Sequence, residues 1–119
     1  MKYVDGFLVP VSKRNLAAYA KMSKVAGKIW RDLGALDYRE YVGEDMNVPG
    51  LTGFPGTLEL KRGEVAVFSW IAFKSRAHRD RVNKKVMADP RVKALCNPKK
   101  PLFDFNRMVY GGFALLVKA

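Results

Sequence analysis

The chain has 119 residues and a mass of 13.4 kDa, room for one core over 1–119 and not for separate cofactor and substrate domains. Hydrophobic residues make up 49% and aromatics 12%, enough apolar mass to fold without cross-links, while no apolar run approaches the roughly 18 residues that span a bilayer. Lys and Arg number 22 against 11 Asp and Glu, a formal net charge of +11 that brings anionic partners into consideration without specifying a fold.

Tyr3 to Val11 reads as a strand, with Tyr3, Asp5, Phe7, Val9 and Val11 on one face and Val4, Gly6, Leu8 and Pro10 on the other. Ser12 is placed to cap a helix running to about Leu33, closed by Gly34. On a helical wheel Leu16, Tyr19, Ala20, Met22, Val25, Ala26, Ile29, Trp30 and Leu33 gather on one side, and Lys21, Lys24, Lys28 and Arg31 on the other. Ala35 to Glu44 forms the second predicted strand, and the turn-rich stretch Pro49 to Gly56 is expected to be irregular. Glu64 to Phe73 reads as a third strand, apolar on both faces except at Ser69. Ser75 caps a second helix through Met87 or Ala88, ended by Asp89-Pro90 because a residue before proline leaves the helical region. A short helical turn and a loop from Pro98 to Pro101 lead to a last strand, Arg107 to Val117.

The order strand, helix, strand, strand, helix, strand predicts an α+β, ferredoxin-like fold: a four-stranded antiparallel sheet with both helices on one face. Two helices cover only one side, whereas the third strand is apolar on both, and Phe113, Leu115 and Val117 oppose Ala114 and Leu116 in the fourth. A monomer would leave that face in water, so the expectation is a homodimer joined through the second face.

The run Phe68-Ser69-Trp70-Ile71, then Lys74 to Asp80, Val82-Asn83, Lys85-Val86-Met87 and Asp89-Pro90-Arg91, closely resembles the small bacterial YbaA-like family, catalogued as a domain of unknown function. Tyr3 to Phe7 and Arg107 to Phe113 resemble it too. The resemblance covers nearly the whole chain and implies a dimeric α/β-barrel fold. It implies no reaction and assigns no catalytic residue.

Six residues are candidates to line a cleft: Asp5, Tyr41, Trp70, His78, Arg107 and Tyr110. His78, the only imidazole, borders the apolar stripe of the second helix, where a general acid or base would suit, although a core-edge histidine bonded to backbone is the plainer reading. Asp5 interrupts an apolar strand face, so it serves a ligand or pairs with an arginine, Arg39 or Arg107 being the expected partners. Trp70, Tyr41 and Tyr110 suit a pocket for a flat ligand or a dimer core. Gly111-Gly112 suggests a bulge, or failing that a close backbone approach.

Ser69 lacks a nucleophile elbow, and the glycines from Gly50 to Gly56 form no phosphate loop. Cys96 has no redox partner in sequence; with His78 as the lone histidine, neither a disulfide nor a Cys/His zinc site can form within one chain. Glu64, Ala66 and Ser69 stand where an RNA-recognition strand needs aromatics, so nucleic acid is not the expected partner. The basic stripe of the first helix and Arg76, Arg79, Arg81, Lys84 and Lys85 of the second read as solvated faces. The opening residues lack the order of a secretory signal, so a cytoplasmic location is expected, with no cofactor and no membrane. The function expected from these features is binding, or cofactor-free conversion, of a small anionic or aromatic ligand in a homodimeric barrel. The alternatives are a structural or interaction protein and a nonspecific nucleic-acid binder.

Overall fold

The computed structural model describes residues 1–95 and 99–119, so Cys96 and the start of the Pro98 loop lie outside the described residues. In chain order the elements are β1 (Tyr3–Ser12), a 3-10 turn at Lys13–Asn15, α1 (Leu16–Asp32), β2 (Asp37–Val42), α2 (Phe54–Thr57), β3 (Glu64–Phe73), α3 (Arg76–Ala88), α4 (Pro90–Leu95), a 3-10 turn at Phe105–Arg107 and β4 (Val109–Ala114). The strands form one antiparallel sheet in the order β2-β3-β1-β4, with Asp5 opposite Ile71 and Gly112, and Tyr38 opposite Ile71 on the other side of β3.

Because strand side chains alternate, this register puts Tyr3, Asp5, Phe7, Val9 and Val11 on the same face as Tyr38, Glu40, Val67, Ser69, Ile71 and Phe73. The helices cover that face. One cluster packs Ala35, Ile71, Phe73, Val82 and Val86 with Trp30 and Leu33; a second packs Val9, Val11, Tyr19 and Val67 with Leu16 and Met22. The opposite, outer face carries Val4, Leu8, Tyr41, Phe68, Trp70, Val109 and Phe113, and no element among the described residues lies over it. Phe68 is 48% exposed there and Phe113 58%.

β3 and α3 fall where the sequence puts them, and the Ser75 side chain accepts the His78 amide at 3.1 Å. α1 closes as predicted at Gly34, whose φ of 124° is left-handed; its amide reaches the Arg31 carbonyl and that of Ala35 the Trp30 carbonyl, at 3.2 and 2.9 Å. Elsewhere the structure corrects the reading. Ser12 caps nothing, since the chain first makes a 3-10 turn and α1 starts at Leu16. β2 and β4 are shorter than predicted, because a strand persists only where a neighbour pairs with it, and the register ends at Val42 and at Ala114. The turn-rich loop winds once into helix at Phe54–Thr57.

The buried stripe of α1 also differs: Val25 is exposed, while Ser23 and Gly27 are buried against β2. Small residues are required there, for a Cβ on Gly27 would stand 2.6 Å from the Tyr38 ring. Gly111-Gly112 is not a bulge, since the ladder with β1 runs through it unbroken. Gly112 instead makes room for the Tyr3 hydroxyl, which would lie 2.2 Å from a Cβ at that position.

Candidate functional site

Two polar clusters lie between the helices and the sheet. The first is built around Asp5, 1% exposed in the middle of β1. Its partner is neither Arg39 nor Arg107 but Arg79 of α3, whose Nη1 donates to Asp5 Oδ1 at 2.8 Å. Arg39 lies on the far side of β3, on the outer face, where it pairs with Asp37 and stacks 5.8 Å over Trp70. Arg107 precedes β4 and is held by Glu64 at 2.6 and 2.9 Å, drawing that carboxyl below its ordinary range. Arg79 is therefore turned inward rather than exposed on a solvated face. It also donates to the Tyr110 hydroxyl at 2.6 Å and to the Tyr3 hydroxyl at 3.4 Å, and its Nε reaches Asp80 at 2.8 Å. Asn83 donates to the other Asp5 oxygen at 3.2 Å and accepts the Trp30 indole N–H at 3.1 Å. Burial and the neighbouring Asp5 raise the Tyr110 phenol above its ordinary value. Four of the five N–H groups of Arg79 are taken up by these partners, so this cluster is a closed clip tying β1, β4 and α3 together.

The second cluster is open. α1 runs beside the edge strand β2 and leaves a groove of about 550 Å³, lined by Leu16, Ala20, Val67 and Val42 among apolar side chains. Lys24 and Lys28 also line it, and both are exposed. Glu40 reaches into it from β2, because the alternation Tyr38-x-Glu40-x-Val42 turns these residues toward the helix. Tyr19 donates its hydroxyl to Glu40 Oε1, while Ser23 and Tyr38 donate theirs to Oε2, Tyr38 at 3.0 Å. Burial first, and the Glu40 carboxylate second, push the phenols of Tyr19 and Tyr38 well above their ordinary value, so both remain hydrogen-bond donors throughout the physiological range. Among the described residues no cation is paired with Glu40, in contrast to Asp5.

Of the six sequence candidates the structure brings Asp5 and Tyr110 together, through Arg79. Tyr41 lines the groove at its exposed edge. Trp70 lies on the outer sheet face and Arg107 on Glu64. His78 sits apart at the start of α3: its Nδ1 accepts the Lys74 amide at 3.0 Å, and its ring meets Phe73 edge-on at 5.9 Å. Burial, then Lys74 and Arg81, lower its basicity. The groove residues Tyr19, Ser23, Tyr38 and Glu40 are not among the candidates. The signal available for them is the two-residue period of β2, which puts Tyr38, Glu40 and Val42 on one face, together with a serine one helical turn beyond Tyr19.

A family model described as "Protein of unknown function (DUF1428)" matches residues 2–105. The Escherichia coli K12 protein named "Uncharacterized protein YbaA" is 38% identical over 117 residues, 98% of each chain, and the Shigella flexneri protein of that name matches to the same extent.

Replacing Arg79 by Met strands the Asp5 charge in the interior, which costs about 3–5 kcal/mol for a broken buried pair. The measurement is the urea midpoint, and Asp5→Leu added to Arg79→Met is expected to restore part of the loss. A loss under about 1 kcal/mol from Arg79→Met, the level of an exposed pair, would contradict the closed clip.

Proposed function

The chain belongs to the DUF1428 family of YbaA-like proteins of unknown function, and from that premise we propose that it is a homodimeric, small-molecule-binding α/β barrel whose ligand lies in the groove between α1 and β2. The strand order β2-β3-β1-β4, with α1 and α3 over one face, supports a ferredoxin-like assignment across 1–119. No helix among the described residues is long and apolar enough to cross a membrane, and a cytoplasmic location is part of the proposal.

The dimer is supported by the outer sheet face. Its aromatic and aliphatic side chains, of which Tyr41, Phe68, Val109 and Phe113 are about half exposed in the single chain, form the kind of apolar patch that a soluble protein covers. An identical sheet offers the same patch in return. Light scattering at micromolar concentration is expected to give twice the 13.4 kDa chain mass, and Phe68→Asp to reduce it to one. A wild-type monomer would refute the dimer.

Ligand binding rests on the groove. A concave apolar space with a few convergent polar groups is the usual form of a small-molecule site, and Glu40, ordered by three hydroxyls, gives this one a fixed acceptor. Asp5 of the clip, by contrast, is almost fully buried. A specific ligand stabilises by mass action, about 2.7 kcal/mol at a hundred times its Kd. A panel of small organic acids is expected to contain compounds that raise the wild-type Tm, with the response lost in Ala20→Trp, which fills the groove from an exposed helix position. Responses that survive Ala20→Trp would place the site elsewhere.

A further inference from the structure

The order of groups along the groove is more specific than its shape. Tyr19 and Ser23 of α1 both reach Glu40, and Ser23 lies 3.1 Å from the Tyr38 hydroxyl, so Glu40 stands in the middle of the groove, level with Ala20 and Lys24. Toward the start of α1 the lining is apolar: Leu16 packs on Val67, and Val42 is the ladder partner of Val67. Toward the end of α1 it is basic, with Lys28 and then Arg31, which lies 3.6 Å from Asp37. The groove therefore runs from apolar through anionic to cationic.

The anionic and cationic parts adjoin without cancelling. Lys24 and Lys28 make no ion pair among the described residues, and the groups bonded to Glu40 there are all hydroxyls. A carboxylate offers about four lone-pair directions; the hydroxyls take one on Oε1 and both on Oε2, leaving one on Oε1. A ligand with a single charge is mismatched here. A plain carboxylate drawn to Lys24 meets Glu40 beside it, and a plain amine drawn to Glu40 meets Lys24. A ligand with both charges on one carbon suits the two together.

Resting on the groove reading above, we infer that the site binds an α-amino acid with an apolar side chain. Its ammonium donates to Oε1 of Glu40, its carboxylate faces Lys24 and Lys28, and its side chain lies toward Leu16, Val42 and Val67. The lengths agree, since the helix rises about 12 Å from Leu16 to Lys24, room for a ligand the size of leucine or phenylalanine. Charge fixes the orientation. The reversed ligand would set its side chain among the lysines and its carboxylate against Leu16 and Val67. Selectivity comes from Glu40, because a site built to bond an N–H group discriminates strongly against the analogue that lacks it.

The probes are L-phenylalanine and L-leucine, titrated calorimetrically into the full chain. Beside them stand 3-phenylpropionate and 4-methylpentanoate, which lack the ammonium, and 2-phenylethylamine and 3-methylbutylamine, which lack the carboxylate. Each amino acid is expected to bind about tenfold tighter or more than either of its analogues. Glu40→Gln, which keeps the volume and loses the charge, is expected to bring the amino acids down to the level of the plain acids or below. Lys24→Ser with Lys28→Ser is expected to weaken the acids and strengthen the amines; both positions are exposed, so this variant serves should Glu40→Gln not fold. Amino acids that bind no tighter than their analogues overturn the inference, as does an advantage that persists in Glu40→Gln or acids and amines that respond alike to the lysine variant. In each of these cases the groove reading stands if other organic acids raise the Tm and lose that effect in Ala20→Trp. Absence of binding by every probe, together with no thermal response to the organic-acid panel, overturns the groove reading itself.

Discussion

β3 lies inside the sheet with a neighbour on each side, and both of its faces are apolar. Toward the helices it contributes Val67, Ile71 and Phe73, all nearly inaccessible; on the outer side it carries Phe68 and Trp70. The inner half of this arrangement decides where the helices go, since their apolar stripes find a partner only there. The outer half leaves a demand for cover that 119 residues do not meet. Two layers, sheet and helices, account for a molecule only 20 Å thick against 42 and 39 Å in its other dimensions. A second sheet stacked on the first would bury this face at the usual spacing of about 10 Å.

Between helices and sheet stand two carboxylates, Asp5 buried and Glu40 half-buried, and the chain treats them differently. Asp5 meets a guanidinium, and Arg79 divides its donors among Asp5, Asp80, Tyr110 and Tyr3. Glu40 meets hydroxyls alone. Neutral donors satisfy a carboxylate's lone pairs without cancelling its charge, so Glu40 remains a source of negative potential within an open groove. A closed ion pair stabilises and joins elements, and an uncancelled carboxylate beside solvent-accessible space is available to a ligand. The glycines fit the same division. Gly112 admits Tyr3 to the clip, and Gly27 lets Tyr38 approach α1 closely enough to reach Ser23.

Much of the framework was legible in the sequence. The bounds of β3 follow from an apolar run, Val65 to Phe73, broken only by Ser69, the start of α3 from a serine cap, and the end of α1 from a glycine where the left-handed conformation is needed. These signals are local. The site was not local, and so it was missed. Arg79 looks like one more cation on a basic helix until α3 is laid over β1, 74 positions earlier in the chain. Ser23 counts for little on a helical wheel, and Val25 counts for much, although it is Ser23 that faces β2. Glu40 sits in alternation with Tyr38, which marks its face, but nothing in the sequence shows that its neighbours there are hydroxyls and not a cation.

The uncovered sheet face carries the central claim, and hydroxyl-radical footprinting read residue by residue tests it directly. In the single chain Phe68, Phe113 and Phe105 are 48%, 58% and 65% exposed, so a monomer would oxidise all three at similar rates. Phe105 lies in the turn before β4, away from the outer face, and serves as the internal reference. Paired sheets predict strong protection of Phe68 and Phe113 at micromolar concentration, with Phe105 still reactive. Equal reactivity of the three would contradict the dimer and leave the outer face of the sheet bare in solution.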